Sequence, residues 1–272
     1  MVAKHRIARQ PGSAGQAGIA YPPIRSQHSV TEPNRIDRPG TSEEAWESWL
    51  DLRHLPQVDP ATWPDVVVVA AHPDDEVLGA GGTMAILAAA GARLRLIAVT
   101  DGEGSHPGAD PDVIARQRTA ETAAALGLLG ARDIDVVRLR FPDTGLAGRE
   151  KELATALAEH CAGFGLCLAP WEKDAHADHE TAGRAARRAA HWSGQRVLSY
   201  PIWMWHWAKP ADRRVPWHRA ARIVLPAEIA TRKRAAISAF ASQLTDRDPD
   251  TGPVLPPGIV AHFTREQEVL LR

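Results

Sequence analysis

The chain lacks several things that define whole classes of protein. Only two of its 272 residues are cysteine, Cys161 and Cys167. Two cannot build a disulfide framework, so a pair of small buried thiols in a reducing compartment is the expectation. No stretch approaches the ~20 consecutive apolar residues that a membrane span needs. Charge of one sign is missing too: 32 Lys and Arg face 33 Asp and Glu, a formal net charge of −1. The basic residues are interspersed with acids, which argues against nucleic acid as the main partner. The opening Met-Val-Ala-Lys-His-Arg has no apolar core of a secretory signal. Cytoplasmic residence is therefore expected.

What is present is ordinary globular material, 44% hydrophobic and 24% charged. Residues 1–40 are rich in Pro, Gly, Ser and Arg without periodicity and read as a flexible arm. Residues 41–272 read as one α/β domain, with a core over 64–200 and a C-terminal extension over 201–272. Thr41, with Glu44 three residues on, has the pattern of a capping box. Behind it, Trp46, Trp49 and Leu50 form a packing stripe.

From residue 66 apolar runs alternate with helical patterns. Strands are expected over 66–71, 94–100, 135–139, 165–170 and 196–200. Helices are expected over 77–91, 111–127, 147–162 and 178–191. This βαβ rhythm implies a mostly parallel sheet with helices on both faces. Beyond Tyr200, the alternation of Trp203, Trp205 and Trp207 fits a strand with the three indoles on one face. A strand near 221–225, a helix near 227–241, a Pro/Gly/Asp-rich loop over 245–258 and a closing strand follow. A loop of that length suits a functional role such as a lid.

Two clusters carry the chemistry. Ala71-His72-Pro73-Asp74-Asp75-Glu76 directly follows the run Val66–Ala70, at a strand end where ligands sit in α/β sheets. Asp174-Ala175-His176-Ala177-Asp178-His179 follows the apolar run 166–170. His176 and His179, at i and i+3, share a helix face. Asp75 and His179 are 104 residues apart, which forbids a local zinc finger and requires two strand ends to meet. His72, Asp75 and His179 supply two imidazoles and one carboxylate, the donor set of a catalytic zinc site with one position left open. Asp74 is placed to act as the base. His176 is placed to stabilise an oxyanion and protonate a leaving amine. Asp178 would orient one of the imidazoles. The ligand types also accept iron, cobalt or nickel. Gly79-Ala80-Gly81-Gly82 is not a dinucleotide loop, because it comes too late after the strand and lacks the Gly-x-Gly-x-x-Gly spacing.

Weaker candidates for substrate contact are Asp101 and Glu103 at the end of the second strand, and Arg116 and Arg118 early in the following helix. For each, loop, cap or solvated-face duty is the competing reading.

The first cluster, followed by Gly79 and Gly82, resembles the signature of the PIG-L/LmbE-like family of zinc-dependent N-acetylglucosaminyl deacetylases. The second resembles its His-Pro-Asp-His motif, with Ala177 in place of proline. Thr100-Asp101-Gly102-Glu103 and Pro142-Asp143 also match family patterns. The resemblance covers roughly residues 64–200. It implies a Rossmann-like fold, zinc on His72, Asp75 and His179, Asp74 as base and His176 as the electrophilic histidine. It further implies an amino-sugar conjugate as substrate and removal of its N-acyl group. An amidase of glucosaminyl conjugates and a natural-product sugar deacylase are variants of this reading. A non-catalytic sugar- or nucleotide-binding module is the alternative from another class. The oligomeric state is open, with a homo-oligomer among the options.

Overall fold

The computed structural model describes residues 35–247 and 252–272. The arm expected over residues 1–40 lies outside the described residues as far as 34, as does part of the 245–258 loop. From Arg35 onward the chain is held against the fold. The Arg35 guanidinium lies 5.0 Å from the centre of the Trp207 ring, and Thr41 N donates to the His206 carbonyl at 2.8 Å.

In chain order the elements are α1 (Glu43–Glu47), α2 (Asp51–His54), β1 (Asp65–Ala70), α3 (Asp75–Ala89), β2 (Arg93–Ala98), α4 (Pro111–Leu129) and β3 (Asp135–Arg138). Then come α5 (Glu150–Cys161), β4 (Leu166–Pro170), α6 (Ala177–Ser193), β5 (Arg196–Tyr200), α7 (Met204–Trp207) and β6 (Ala220–Val224). The chain closes with α8 (Ala227–Ser238), α9 (Ala241–Leu244), α10 (Pro257–Ala261) and β7 (Gln267–Leu271). The strands form one sheet in the order β3-β2-β1-β4-β5-β7-β6. The first five are parallel, while β7 runs antiparallel to both β5 and β6. Among the described residues no helix is long and apolar enough to cross a membrane.

Side chains alternate across β1, so its unbroken apolar run serves two cores at once. Val66, Val68 and Ala70 pack with α3, α4 and the C-terminal extension. Val67, Val69 and Ala71 pack with α5 and α6 on the other face. A strand buried on both sides has no polar face to show, which is why it reads as continuous valine.

Gly79 fits this packing. A Cβ there would stand 2.1 Å from Tyr200 Cδ2, and Tyr200 is fixed in turn by donating to the Val69 carbonyl at 2.6 Å. Only glycine lets α3 come this close to the sheet. Glu268, on β7, secures the same helix about one turn further on. It accepts from Gly82 N at 2.7 Å and Thr83 N at 2.8 Å, and pairs with the buried Lys233 of α8 at 2.7 Å.

Some expected boundaries shift for identifiable reasons. Ser42, not Thr41, caps α1, while Thr41 Oγ1 turns to the Ala208 carbonyl. Helix α4 runs past Gly127 and stops at Gly130, whose φ of 78° provides the left-handed cap. The strand expected over Trp203–Trp207 is the short helix α7. The Asp174 carboxylate gathers the backbone N–H groups of Ile202, Trp203 and Met204 at 2.9–3.0 Å and curls the chain into a turn. The indoles consequently diverge. Trp205 packs edge-on against Trp46 at 5.1 Å, Trp207 stacks on Trp171 at 6.2 Å, and Trp203 faces the cleft described below.

Candidate metal-centred active site

The strand order reverses between β1 and β4, and the crevice beyond their carboxyl ends is the switch point at which such sheets bind ligands. The loop after β1 and the first residue of α3 carry His72 to Asp75, and the loop after β4 with the first turn of α6 carries Asp174 to His179. The loop after β3 adds Asp143 and Thr144. Backbone strain concentrates here. Asp74 (φ 123°), Thr144 (φ 60°) and Ala175 (φ 72°) all occupy the region that favours glycine. Asp74 is held there because its carbonyl accepts from Val77 and Leu78 at 2.9 and 2.8 Å, opening α3.

Three donor groups converge. His72 Nδ1 lies 3.2 Å from His179 Nε2. Asp75 places Oδ2 3.6 Å from the first and Oδ1 3.3 Å from the second. Ligands ~2.0–2.1 Å from a tetrahedral ion stand roughly 3.3 Å from one another, so the spacing fits a small divalent metal.

The outer hydrogen bonds fit as well. His179 Nδ1 donates to Asp174 Oδ2 at 2.8 Å. His72 Nε2 stands 3.1 Å from Asp143 Oδ1 and 3.3 Å from Asp178 Oδ2. With each far nitrogen donating to a carboxylate, the two facing nitrogens present bare lone pairs, the arrangement of metal-binding imidazoles. Burial would depress His72, but hydrogen bonds to Asp143, Asp178 and Asp75 raise its pKa well above the ordinary value. His72, His176 and His179 also offer ring nitrogens within 4.8 Å of one another, as do His72, Asp143 and Asp178 with their oxygens.

Asp74 sits beside this group with its carboxylate 3.1 Å from Arg118 Nη2. Burial raises its pKa to about 7, against the lowering effect of Arg118 and with help from Asp75. Arg118 is itself buried, donating to the carbonyls of Gly102 at 3.0 Å and Pro73 at 2.6 Å.

His176 caps α6, its Nδ1 accepting from Asp178 N at 3.3 Å. An imidazole accepting at Nδ1 carries its proton on Nε2. Burial, with the positive His179 and His72, lowers its pKa to about 3. It is therefore a neutral hydrogen-bond donor and not a stored acid, which narrows the role expected from the sequence. Asp178 approaches His72 and also accepts from Thr144 N at 2.8 Å and Leu146 N at 3.1 Å, tying three loops together.

The weaker candidates divide. Arg118 reaches the cleft. Arg116 is exposed and lines a separate depression with Asp101, Arg138 and Arg140. Asp101 accepts from Arg138 Nε at 2.7 Å, and Glu103 accepts from Asp143 N at 2.8 Å. Those two brace loops and are not among the residues that line the cleft.

Residues missed by sequence reasoning are Asp143, Asp174, Gln243, Trp203 and the pair Val254–Leu255, which line or brace the cleft. Asp143 lay in a quoted pattern at a strand end and Asp174 opened the second cluster. Val254 and Leu255 belong to the 245–258 loop whose length suits a functional role, and Trp203 to the tryptophan alternation, but nothing in the sequence signalled Gln243. The cleft holds about 120 Å³, with Leu78, Ile202, Trp203, Val254 and Leu255 as its apolar side.

Comparison with known proteins agrees with this geometry. The family described as PIG-L, GlcNAc-PI de-N-acetylase, matches residues 67–190. That span contains both clusters, and the chain belongs to the PIG-L/LmbE-like family. A relative in Catenulispora acidiphila, 1D-myo-inositol 2-acetamido-2-deoxy-alpha-D-glucopyranoside deacetylase 2, is 32% identical over 158 residues, 48% of this chain and 52% of that protein. The chain spans less than two thirds of the curated relatives it matches, 20% of one and 61% of another. The conserved protein TT1542 of Thermus thermophilus is 31% identical in its crystal structure with a TM-score of 0.54, over 73% of this chain and 84% of that one. The N,N'-diacetylchitobiose deacetylase of Pyrococcus horikoshii shares the fold at 21% identity and a TM-score of 0.54, over 77% and 82% of the two chains.

Proposed function

We propose that the protein is a metal-dependent hydrolase that removes an N-acetyl or N-acyl group from a glucosaminyl substrate. The observation that carries this reading is the approach of His72 Nδ1, His179 Nε2 and the Asp75 carboxylate within 3.2–3.6 Å, with Asp74 alongside. His72, Asp75 and His179 would hold the ion, taken to be zinc. When bound, such an ion lowers the pKa of a water and polarises the amide carbonyl.

The chain's own residues account for the rest. The Asp74 carboxylate takes the proton of the attacking water as the new C–O bond forms at the amide carbon. The pKa of about 7 suits a group that must first accept a proton and later return it. His176 Nε2–H donates a hydrogen bond to the carbonyl oxygen as negative charge gathers there. The C–N bond then breaks as Asp74 passes the proton to the departing nitrogen, and the amine and carboxylic acid so formed exchange the remaining proton to leave as ammonium and carboxylate. Asp174 and Asp178 hold the imidazoles in place throughout.

The names of the relatives support a substrate with an N-acetylglucosaminyl unit. The apolar side of the cleft favours, within the same chemistry, an acyl chain or aglycone with apolar surface. The test is amine release from a panel of N-acyl glucosaminides, before and after removal of metal by a chelator. Release that is lost on chelation and restored by zinc supports the proposal. Release untouched by exhaustive chelation opposes it.

A further inference from the structure

Gln243, on α9, is completely buried and lines the cleft, yet its Oε1 has no hydrogen-bond partner among the described residues. An acceptor kept from water and left bare is costly, and native proteins leave few of them.

The orientation of this amide is set by its neighbours. Glu121, on α4, accepts from Ser242 N at 2.8 Å and from Ser242 Oγ at 2.6 Å. The Ser242 hydroxyl has thereby committed its only proton, so toward Gln243 it can only accept. The Gln243 group beside it, 2.8 Å away, must be the donating Nε2. Oε1 is then left as a fixed acceptor. The backbone is held as well, since Leu255 N donates to the Gln243 carbonyl at 2.9 Å and Leu255 itself lines the cleft. Helix α4 braces both sides of the cleft from one face. Arg118 holds Asp74, and one turn on Glu121 holds Ser242.

We infer that Gln243 is a specificity-determining residue. Its Oε1 accepts a hydrogen bond from a hydroxyl of the bound sugar, and the Glu121–Ser242 pair keeps that oxygen turned to receive it. This rests on the hydrolase reading above and adds to it a site that selects for a hydroxylated glycosyl unit over an apolar amide of similar size. A pocket built to bond a hydroxyl discriminates against an analogue lacking it, because its polar group is then left unpaired.

The test uses the metal-loaded full chain, N-acetylglucosaminides and their 3-, 4- and 6-deoxy analogues. Wild type is compared with Gln243→Met, which keeps the length and removes the acceptor, and with Ser242→Ala, which keeps the acceptor but frees its orientation. The expected result is about a tenfold fall in kcat/KM for the parent sugar with Gln243→Met, mostly in KM. One deoxy analogue, already poor with wild type, should lose nothing further with the variant. Ser242→Ala should show a smaller loss with the same analogue pattern, and it carries the test if melting shows that Gln243→Met does not fold. An equal loss on every sugar, or no loss on any, overturns the inference while leaving the hydrolase reading standing. Wild type that releases amine from none of these sugars overturns both.

Discussion

The Asp74 carboxylate and the Arg118 guanidinium meet at 3.1 Å in a site where neither residue is more than a tenth exposed. The pair joins the strained turn after β1 to the face of α4. It also balances the pKa of Asp74, which burial drives up and Arg118 draws down.

Replacing Arg118 by Met should therefore push Asp74 toward its protonated, inactive form. Loss of general-base assistance is worth about 10²–10⁴ in rate. A fall of about a hundredfold in kcat/KM is expected, with metal content unchanged because Arg118 touches none of His72, Asp75 or His179. Steady-state kinetics beside metal analysis checks this, and an unchanged kcat/KM would remove Arg118 from the account.

Asp174 has two tasks, and its removal should show both. It accepts from His179 Nδ1 and from three backbone N–H groups at the start of α7. Outer partners of metal-binding histidines are worth about 10–100-fold in metal affinity. Asp174→Ala should weaken zinc binding to that degree in a competition titration. It should also alter tryptophan fluorescence, since Trp203 N is among the groups released. Normal metal affinity in a folded variant would contradict this.

The N-terminal helix is fastened by a group whose charge depends on pH. Glu43 accepts from His262 Nδ1 at 2.7 Å and from Arg265 at 2.5 Å. Burial raises its pKa, but the bonds from Arg265 and His262 outweigh this, and the net shift is below the ordinary 4.5. A depressed carboxyl stabilises the fold above its unfolded value, and the benefit is lost as pH falls through the folded one. Glu43→Gln should lower Tm by about 2–4 °C near pH 7. The gap from wild type should close on acidification below about pH 4. A gap that stays constant with pH would show that the carboxylate charge is not what fastens the helix.

Much of this architecture was legible because the signals were local. The run Val66–Ala70 marks a strand buried on both sides, and His72 to Glu76 follow it with only Ala71 between, so the strand end is sharp. The i, i+3 spacing of His176 and His179 put both rings at the start of one helix, where they lie 4.6 Å apart. The rest depended on distant partners. Gln243 is oriented through Ser242, which bonds to Glu121 on a helix 121 residues away from Ser242 along the chain, a relation with no periodicity to reveal it. The segment Trp203–Trp207 misled for a related reason. Its alternation suits a strand, but the geometry is imposed by the Asp174 carboxylate from another loop. Asp101 and Glu103 stood at the right strand end, yet their oxygens are taken by Arg138 and by the Asp143 backbone.

The most direct measurement is zinc stoichiometry together with amine release from an N-acetylglucosaminide, for wild type and Asp74→Asn. The account predicts close to one ion per chain in both, since Asp74 is not one of the three holding groups. It predicts release in wild type and a loss of at least about a hundredfold in the variant. A chain that binds no ion after reconstitution, or a variant that turns over at the wild-type rate, would contradict it.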